Sequence, residues 1–212
     1  MNPTQRTKLD EADDSLFYDY PRFVTHVDDG FIKQLTDLYR DRLTPNTDIL
    51  DMMSSWVSHL PDDVEFASVT GHGMNQEELA RNPRLDRYVV QNLNQEPTLP
   101  FADQQFDAVL NAVSVQYLQQ PETIFAEIHR VLKPGGIAII SFSNRMFYQK
   151  AIQAWRDGTE RQRVALVQKY FRSVAGFGVP EAIAHQSSTS AILQMLGMGG
   201  DPFYAVLAQR LG

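Results

Sequence analysis

His26 is the side chain of this sequence best suited to moving a proton near neutral pH, since a free imidazole titrates close to 6.5. Tyr18, Tyr20 and Arg22 precede it closely, and Gln116 and Tyr117 offer further polar partners. A base set among aromatics is one reading. An N-terminal arm stapled to the body by buried rings is the other. The remaining candidates cluster at the ends of short apolar runs: Asp51-Met52-Met53-Ser54-Ser55, Gly71-His72-Gly73-Met74-Asn75, Asn92-Leu93-Asn94 and Ala112-Val113-Ser114. Turns at the carboxyl edge of a parallel sheet are where such folds bind ligands. The first three also have a plainer reading: a packed turn at 51–55, ordinary glycine turns at 71 and 73, and an Asx turn at Asn92.

Several chemistries lack their patterns. There is no G-x-S-x-G elbow, no phosphate-cradling G-x-x-x-x-G-K, no H-E-x-x-H pair and no G-x-G-x-x-G dinucleotide turn. The chain has no cysteine, which removes disulfides, thiolate nucleophiles and Cys-based metal sites. Its five histidines are scattered singly, so spacing points to no metal cluster.

The elements that must position these residues are legible in places. Asp107 to Val113 is a short apolar run fit for a strand buried on both faces. Pro121 opens a helix whose Ile124, Phe125, Ile128, Val131 and Leu132 form one stripe; Lys133-Pro134-Gly135-Gly136 should end it, and Ile137 to Phe142 should follow as a parallel strand. Upstream, Asp28 or Asp29 caps a helix carrying Phe31, Ile32, Leu35, Leu38 and Tyr39, and Asp48 to Met52 reads as the first strand. A helix capped by Ser54 or Ser55 is expected next, then a strand at 66–70 and a helix from Gln76 with Asn75 and Glu78 in capping-box form. Tyr88 to Gln91 is the third strand, Thr159 to Arg172 a helix, and Glu181 to His185 and Phe203 to Gln209 the last two strands. Met195, Leu196 and Met198 between them read as core filler. Residues 1–14 read as loosely ordered.

LPFADQQFDAV followed by EIHRVLKPGG resembles the carboxyl-terminal half of class I S-adenosylmethionine-dependent methyltransferases, in their small-molecule, type 11-like form. The resemblance implies a Rossmann-like, seven-stranded, mostly parallel α/β sheet with helices on both faces and an antiparallel last strand. It also implies a lid with helices over residues 1–46 and a methyltransferase-like domain over 47–212, together one globular unit. The family's first turn, D-x-G-x-G-x-G, keeps here only Asp51; Met53, Ser55 and Val57 stand at its three glycines, with Met52 and Ser54 between. Its ribose-binding acid falls on Gly73 and its adenine-binding acid on Asn92, whose amide can still accept a hydrogen bond. By the same likeness, Tyr20 and Arg22 of the lid, residues 71–75, Leu93, Asn94, Ala112 and Val113 would surround S-adenosyl-L-methionine, the product being S-adenosyl-L-homocysteine. His26 and Tyr117 would serve the acceptor, a small organic molecule, in an in-line methyl transfer. Arg145 is a candidate for an anionic acceptor or for a plain salt bridge. A methyltransferase-like module that binds a ligand without catalysis is the alternative, motivated by the missing glycines.

Two hundred and twelve residues suffice for one well-cored domain. A net charge of −7 disfavours nucleic-acid backbones as partners, although Arg161, Arg163, Lys169 and Arg172 fall close together. No apolar run approaches a membrane span, the N-terminus lacks a signal-peptide core, and a cytoplasmic protein is the expectation.

Overall fold

The computed structural model describes residues 1–185 and 200–212; the expectations for Met195, Leu196 and Met198 lie outside the described residues. The elements run α1 (Asp14–Tyr18), α2 (Asp29–Arg42), β1 (Asp48–Met52), β2 (Ser68–Gly73), α3 (Gln76–Ala80), β3 (Arg87–Val90), β4 (Phe106–Ala112), α4 (Pro121–Val131), β5 (Leu132–Phe142), α5 (Gln153–Arg156), α6 (Glu160–Arg172), β6 (Glu181–His185) and β7 (Phe203–Gln209). They build one seven-stranded sheet in the order β3-β2-β1-β4-β5-β7-β6. The first five strands are parallel, while β7 runs antiparallel to both β5 and β6. This is the Rossmann-like sheet that the resemblance implies.

Alternation along the strands divides the core in two. Leu50, Val109 and Ile140 face one side, their neighbours Ile49, Leu110 and Ile139 the other, as a two-residue period demands. The first side is covered by α4 and α6, through Phe125, Ile128 and Phe171, with Trp155 of α5 wedged beside Phe142. The second is covered by α2, whose Phe31, Leu35, Leu38 and Tyr39 share a face. Asp28, not Asp29, caps α2, its side chain accepting from Phe31 N–H at 2.8 Å.

Four expectations need correction. First, no helix follows β1: residues 53–67 cross to β2 as irregular chain, tacked down by Asn82 Nδ2 to Ser55 O (2.9 Å) and Thr36 Oγ1 to His59 O (2.9 Å). Second, Gly71, His72 and Gly73 belong to β2 rather than to a turn, because Asp51 and Met52 pair with 71 and 72 on one side while β3 pairs on the other. Third, β5 begins at Leu132: Pro134 forces Lys133 into extended backbone, and Gly135 at φ 80° absorbs the register shift against β4. Fourth, residues 1–14 are pinned. The Met1 ammonium meets Glu122 at 2.8 Å, Arg6 donates to Gln119 O at 2.8 Å, and Lys8 and Lys150 converge on Asp14. The basic run near α6 is also no continuous face, since Arg163 is buried and donates to Trp155 O.

Candidate active site at the carboxyl edge of the sheet

A cavity of about 290 Å³ opens where β1, β2, β3 and β4 end. Its floor is the β1 turn and the ends of β2 and β3. Ala112, Val113 and Ser114 form one wall, Tyr117 and residues 145–147 another, and the N-terminal arm from Asp14 to Val27 lies across the top. Most residues singled out in the sequence meet here: Asp51, Met53, Ser54, Ser55, His72, Gly73, Met74, Asn75, Asn92, Leu93, Asn94, Ala112, Val113, Arg22, His26 and Tyr117 all line it. Three do not. Tyr20 points outward, 79% exposed; Met52 is sealed in the core; Gly71 abuts Leu85, whose Cδ1 would lie 2.3 Å from an added Cβ. The arm turns its other face inward at Tyr20, strand alternation sends Met52 away from the cavity, and Gly71 lies two residues short of the end of β2.

The glycine-poor turn has a definite construction. Met53 takes a left-handed φ of 57°, the conformation for which glycine is the usual choice. Its successor Ser54 donates its N–H to His72 O at 2.7 Å, and Met53 N–H reaches His72 Nδ1 at 3.4 Å. The turn therefore lies directly on β2. It can do so because Gly73 has no side chain: a Cβ there would sit 2.5 Å from Ser54 O. The missing glycines after β1 and the missing acid at Gly73 are two sides of one packing solution. Trp56 stays out of the cavity, its Nε1–H donating to Val24 O at 3.1 Å and its ring set edge-on to Phe23.

Polar groups in the lining fall into spent and free. Both amide hydrogens of Asn75 hold the arm (Tyr18 O, 2.8 Å; Asp19 O, 3.1 Å), and those of Asn94 go to Asp14 (2.8 Å) and Tyr117 O (3.0 Å). Asn92 Oδ1 accepts from Asn94 N–H, an Asx turn. Only half of the expected capping box forms: Asn75 caps Glu78 N–H, while the Glu78 carboxylate instead accepts from Arg22 N–H (2.6 Å) and Ser55 Oγ–H (2.7 Å). His72 Nε2 and Ser114 Oγ have no hydrogen-bond partner among the described residues. Arg145 pairs with Asp201 at 2.7 Å, and Arg22 stacks over Phe17 with its carbon 4.5 Å from the ring centre. Val113, a β-branched residue at φ 52°, is held there by its N–H to Ser141 O (2.8 Å) and by Gln116 Nε2 on its own carbonyl (2.8 Å).

Burial sets the protonation states. It pushes the Asp51 carboxyl up to about 6, against the bonds from Ser54 (2.5 Å) and Ser58. It pushes His59 and His72 down to about 4, and His26 down as well, so all three cavity histidines are neutral at pH 7. Tyr117 is raised to about 12 and remains a hydroxyl, its oxygen accepting from Phe147 N–H at 2.9 Å. For His59 and His72 the folded pKa lies below the unfolded 6.5, so the unfolded chain binds more protons between about pH 4 and 6.5. Stability is lost as pH falls through that window. Asp51, raised from 3.8, works in the opposite sense between 3.8 and about 6, but one carboxyl is outweighed by two imidazoles. The melting temperature should therefore drop from pH 6.5 toward 4, and His72→Gln should flatten the slope; a slope unchanged by that substitution would remove His72 from the account.

A doubly wound sheet in this strand order, with a ligand-sized cavity over its parallel carboxyl edges, is the Rossmann-like fold of class I S-adenosylmethionine-dependent methyltransferases, to which this chain is similar. Residues 55–140 match the family model described as a methyltransferase domain. In sequence the chain is similar to the biotin biosynthesis bifunctional protein BioHC of Teredinibacter turnerae, 31% identical over 97 residues, which are 45% of this chain and 17% of that protein. It spans no more than about a fifth of the length of the curated relatives it matches. In fold it is similar to phosphoethanolamine N-methyltransferase 2 of Haemonchus contortus bound to phosphomonomethylethanolamine and S-adenosylhomocysteine (TM-score 0.60, 14% identity, 85% of this chain and 52% of that one). It is also similar to the [4+2]-cyclase SpnF (TM-score 0.59, 19% identity, 84% and 82%).

The residues the sequence reading passed over are Asp14 and Glu78. Asp14 lay in a stretch without periodicity, and Glu78 read as a helix-capping acid. A carboxylate in the first turn of a helix that follows a β-strand was the available signal for the second.

Proposed function

We propose that this chain is an S-adenosylmethionine-dependent methyltransferase acting on a small organic acceptor, at the cavity over β1 to β4. The observation that carries the reading is that the cavity stays open although the glycines after β1 are gone. Met53 supplies the left-handed turn and Trp56 folds onto the arm instead of into the space. The lining suits a sulfonium nucleoside. Asp51 and Glu78 are buried carboxyl groups that form no ion pair among the described residues, so a cation is welcome between them. Tyr18, Tyr117 and Phe147 add ring faces for the same charge. Asn92 and Leu93 would flank the base, and Ser54 and Ser55 would face the methionyl end.

When bound, the sulfonium supplies an activated methyl group. The protein's own work is to align, to exclude water and to take a proton. The arm closes the top. His26, neutral and within 5.2 Å of the Phe147 ring centre, can accept a proton from a hydroxyl or amine acceptor. The cavity lies near the lower end of the roughly 300–1,000 Å³ typical of small-molecule sites, which favours a compact acceptor. No helix among the described residues is long and apolar enough to cross a membrane, in keeping with a cytoplasmic enzyme.

Thermal melting in S-adenosylmethionine or S-adenosylhomocysteine tests the reading. A ligand at 100 times its Kd should add about 2.7 kcal/mol of stability. No shift at millimolar ligand removes the proposal. A second reading, a binding module without transferase activity, is favoured by the missing helix after β1; a shift without methylation across a broad acceptor panel selects it. The likeness to a cyclase shows that this fold also hosts other chemistry.

A further inference from the structure

We infer that Glu78 receives the ribose hydroxyls of the nucleoside in this cavity, an assignment that rests on the methyltransferase reading above. Glu78 lies on the first turn of α3, is 8% exposed and lines the cavity. Its carboxylate accepts one hydrogen bond on each oxygen, from Arg22 N–H at 2.6 Å and from Ser55 Oγ–H at 2.7 Å. A carboxylate offers about four lone-pair sites, so each oxygen keeps one. No cation pairs with it among the described residues. Two free acceptor sites side by side on one rigidly held group match two adjacent hydroxyl donors.

The other carboxylates of the lining are placed less favourably. Asp51 is bonded to Ser54 at 2.5 Å and sits deeper, at 3% exposure. Asp14 is taken by Lys8, Lys150 and Asn94. The end of β2 cannot bear an acid of its own, because a Cβ at Gly73 would stand 2.5 Å from Ser54 O. Glu78 is five residues further on, and its bond to Ser55 brings its carboxylate back to the turn that lies on Gly73. Asn75, capping Glu78 N–H at 3.0 Å, fixes the helix start that aims it.

The test is titration calorimetry of the full chain with S-adenosylhomocysteine and with its 2′-deoxy and 3′-deoxy forms. Wild type should bind each deoxy form about 10- to 100-fold more weakly, the range for a hydrogen bond to a charged group. In Glu78→Gln the parent ligand should weaken by a similar factor while the deoxy forms lose little more. Equal weakening of parent and deoxy ligands in the variant would make Glu78 a tie for the arm and overturn the inference. So would wild type that binds parent and deoxy forms alike, a result needing no variant to fold. Ser55→Ala, which frees one carboxylate oxygen without removing it, should keep the deoxy penalty; its loss there would place the hydroxyls on Ser55. If wild type binds no S-adenosylhomocysteine at all, the methyltransferase reading falls first and this inference with it.

Discussion

Gly73→Asp, which would restore the acid usual for the family at the end of β2, should weaken the protein rather than improve it. An added Cβ meets a backbone oxygen, Ser54 O, at 2.5 Å, with the Leu79 methyls at 3.2 and 3.3 Å behind it. A flexible side chain could step aside; a backbone carbonyl in a turn that is tied to β2 cannot. The turn must lift from β2, which breaks the 2.7 Å bond from Ser54 N–H to His72 O. Overpacking of this kind costs roughly 1–3 kcal/mol and the lost bond about 1 more. For a domain of this size that is about 5–12 °C in melting temperature. Gly73→Ala should show most of the loss, since the Cβ does the damage. Met53→Gly, which relaxes the left-handed residue, should be tolerated. A Gly73→Asp protein that melts like wild type and binds nucleoside more tightly would refute the shared origin of the two departures.

Asp14→Asn should release the N-terminal arm. Lys8 and Lys150 have side chains only 2% and 1% exposed, and both ammonium groups lean on Asp14, Lys150 at 3.3 Å with further help from Asp10 (3.0 Å) and Ala12 O (2.9 Å). Burial already pulls the Lys8 pKa down, with the Asp14 bond opposing it. Removing one partner of a buried ion pair costs about 3–5 kcal/mol, because the remaining charge is left in a dry place. The cheaper escape is for the arm to detach and hydrate its lysine. Limited trypsin digestion should then cut at Lys8 and Arg22 in the variant while the sheet stays intact, and wild type should resist. Equal resistance in both would mean that the aromatic packing of Phe17 and Tyr18 on Phe147 holds the arm without the ions.

What the sequence discloses follows from how local its cause is. The α4 stripe carries its own periodicity and is read directly, and the runs Glu181–His185 and Phe203–Gln209 are legible as strands, while the cap of α2 is narrowed only to Asp28 or Asp29 and falls to Asp28 in the structure. The arm is not legible, because its order comes from charges more than a hundred residues apart, such as Met1 with Glu122 and Lys150 with Asp10. Gly71 and Gly73 look like turn residues but are strand, since pairing on both flanks overrides their propensity. A left-handed methionine has no signature in composition, and the lost crossover helix is visible only as a lack of apolar spacing between Met53 and Ala67. The cavity lining was found mainly by likeness to a family; Glu78 emerged only from geometry.

The bare crossover after β1 also bears on the charge that a bound nucleoside would meet. A helix beginning there would aim roughly half a positive charge at whatever is bound. Here none begins, and two acidic side chains go without counter-ions. Under the proposed function these carboxyl groups would favour a sulfonium donor over its uncharged thioether product. Loss of the methyl group would then remove the charge they favour and ease release of the spent nucleoside.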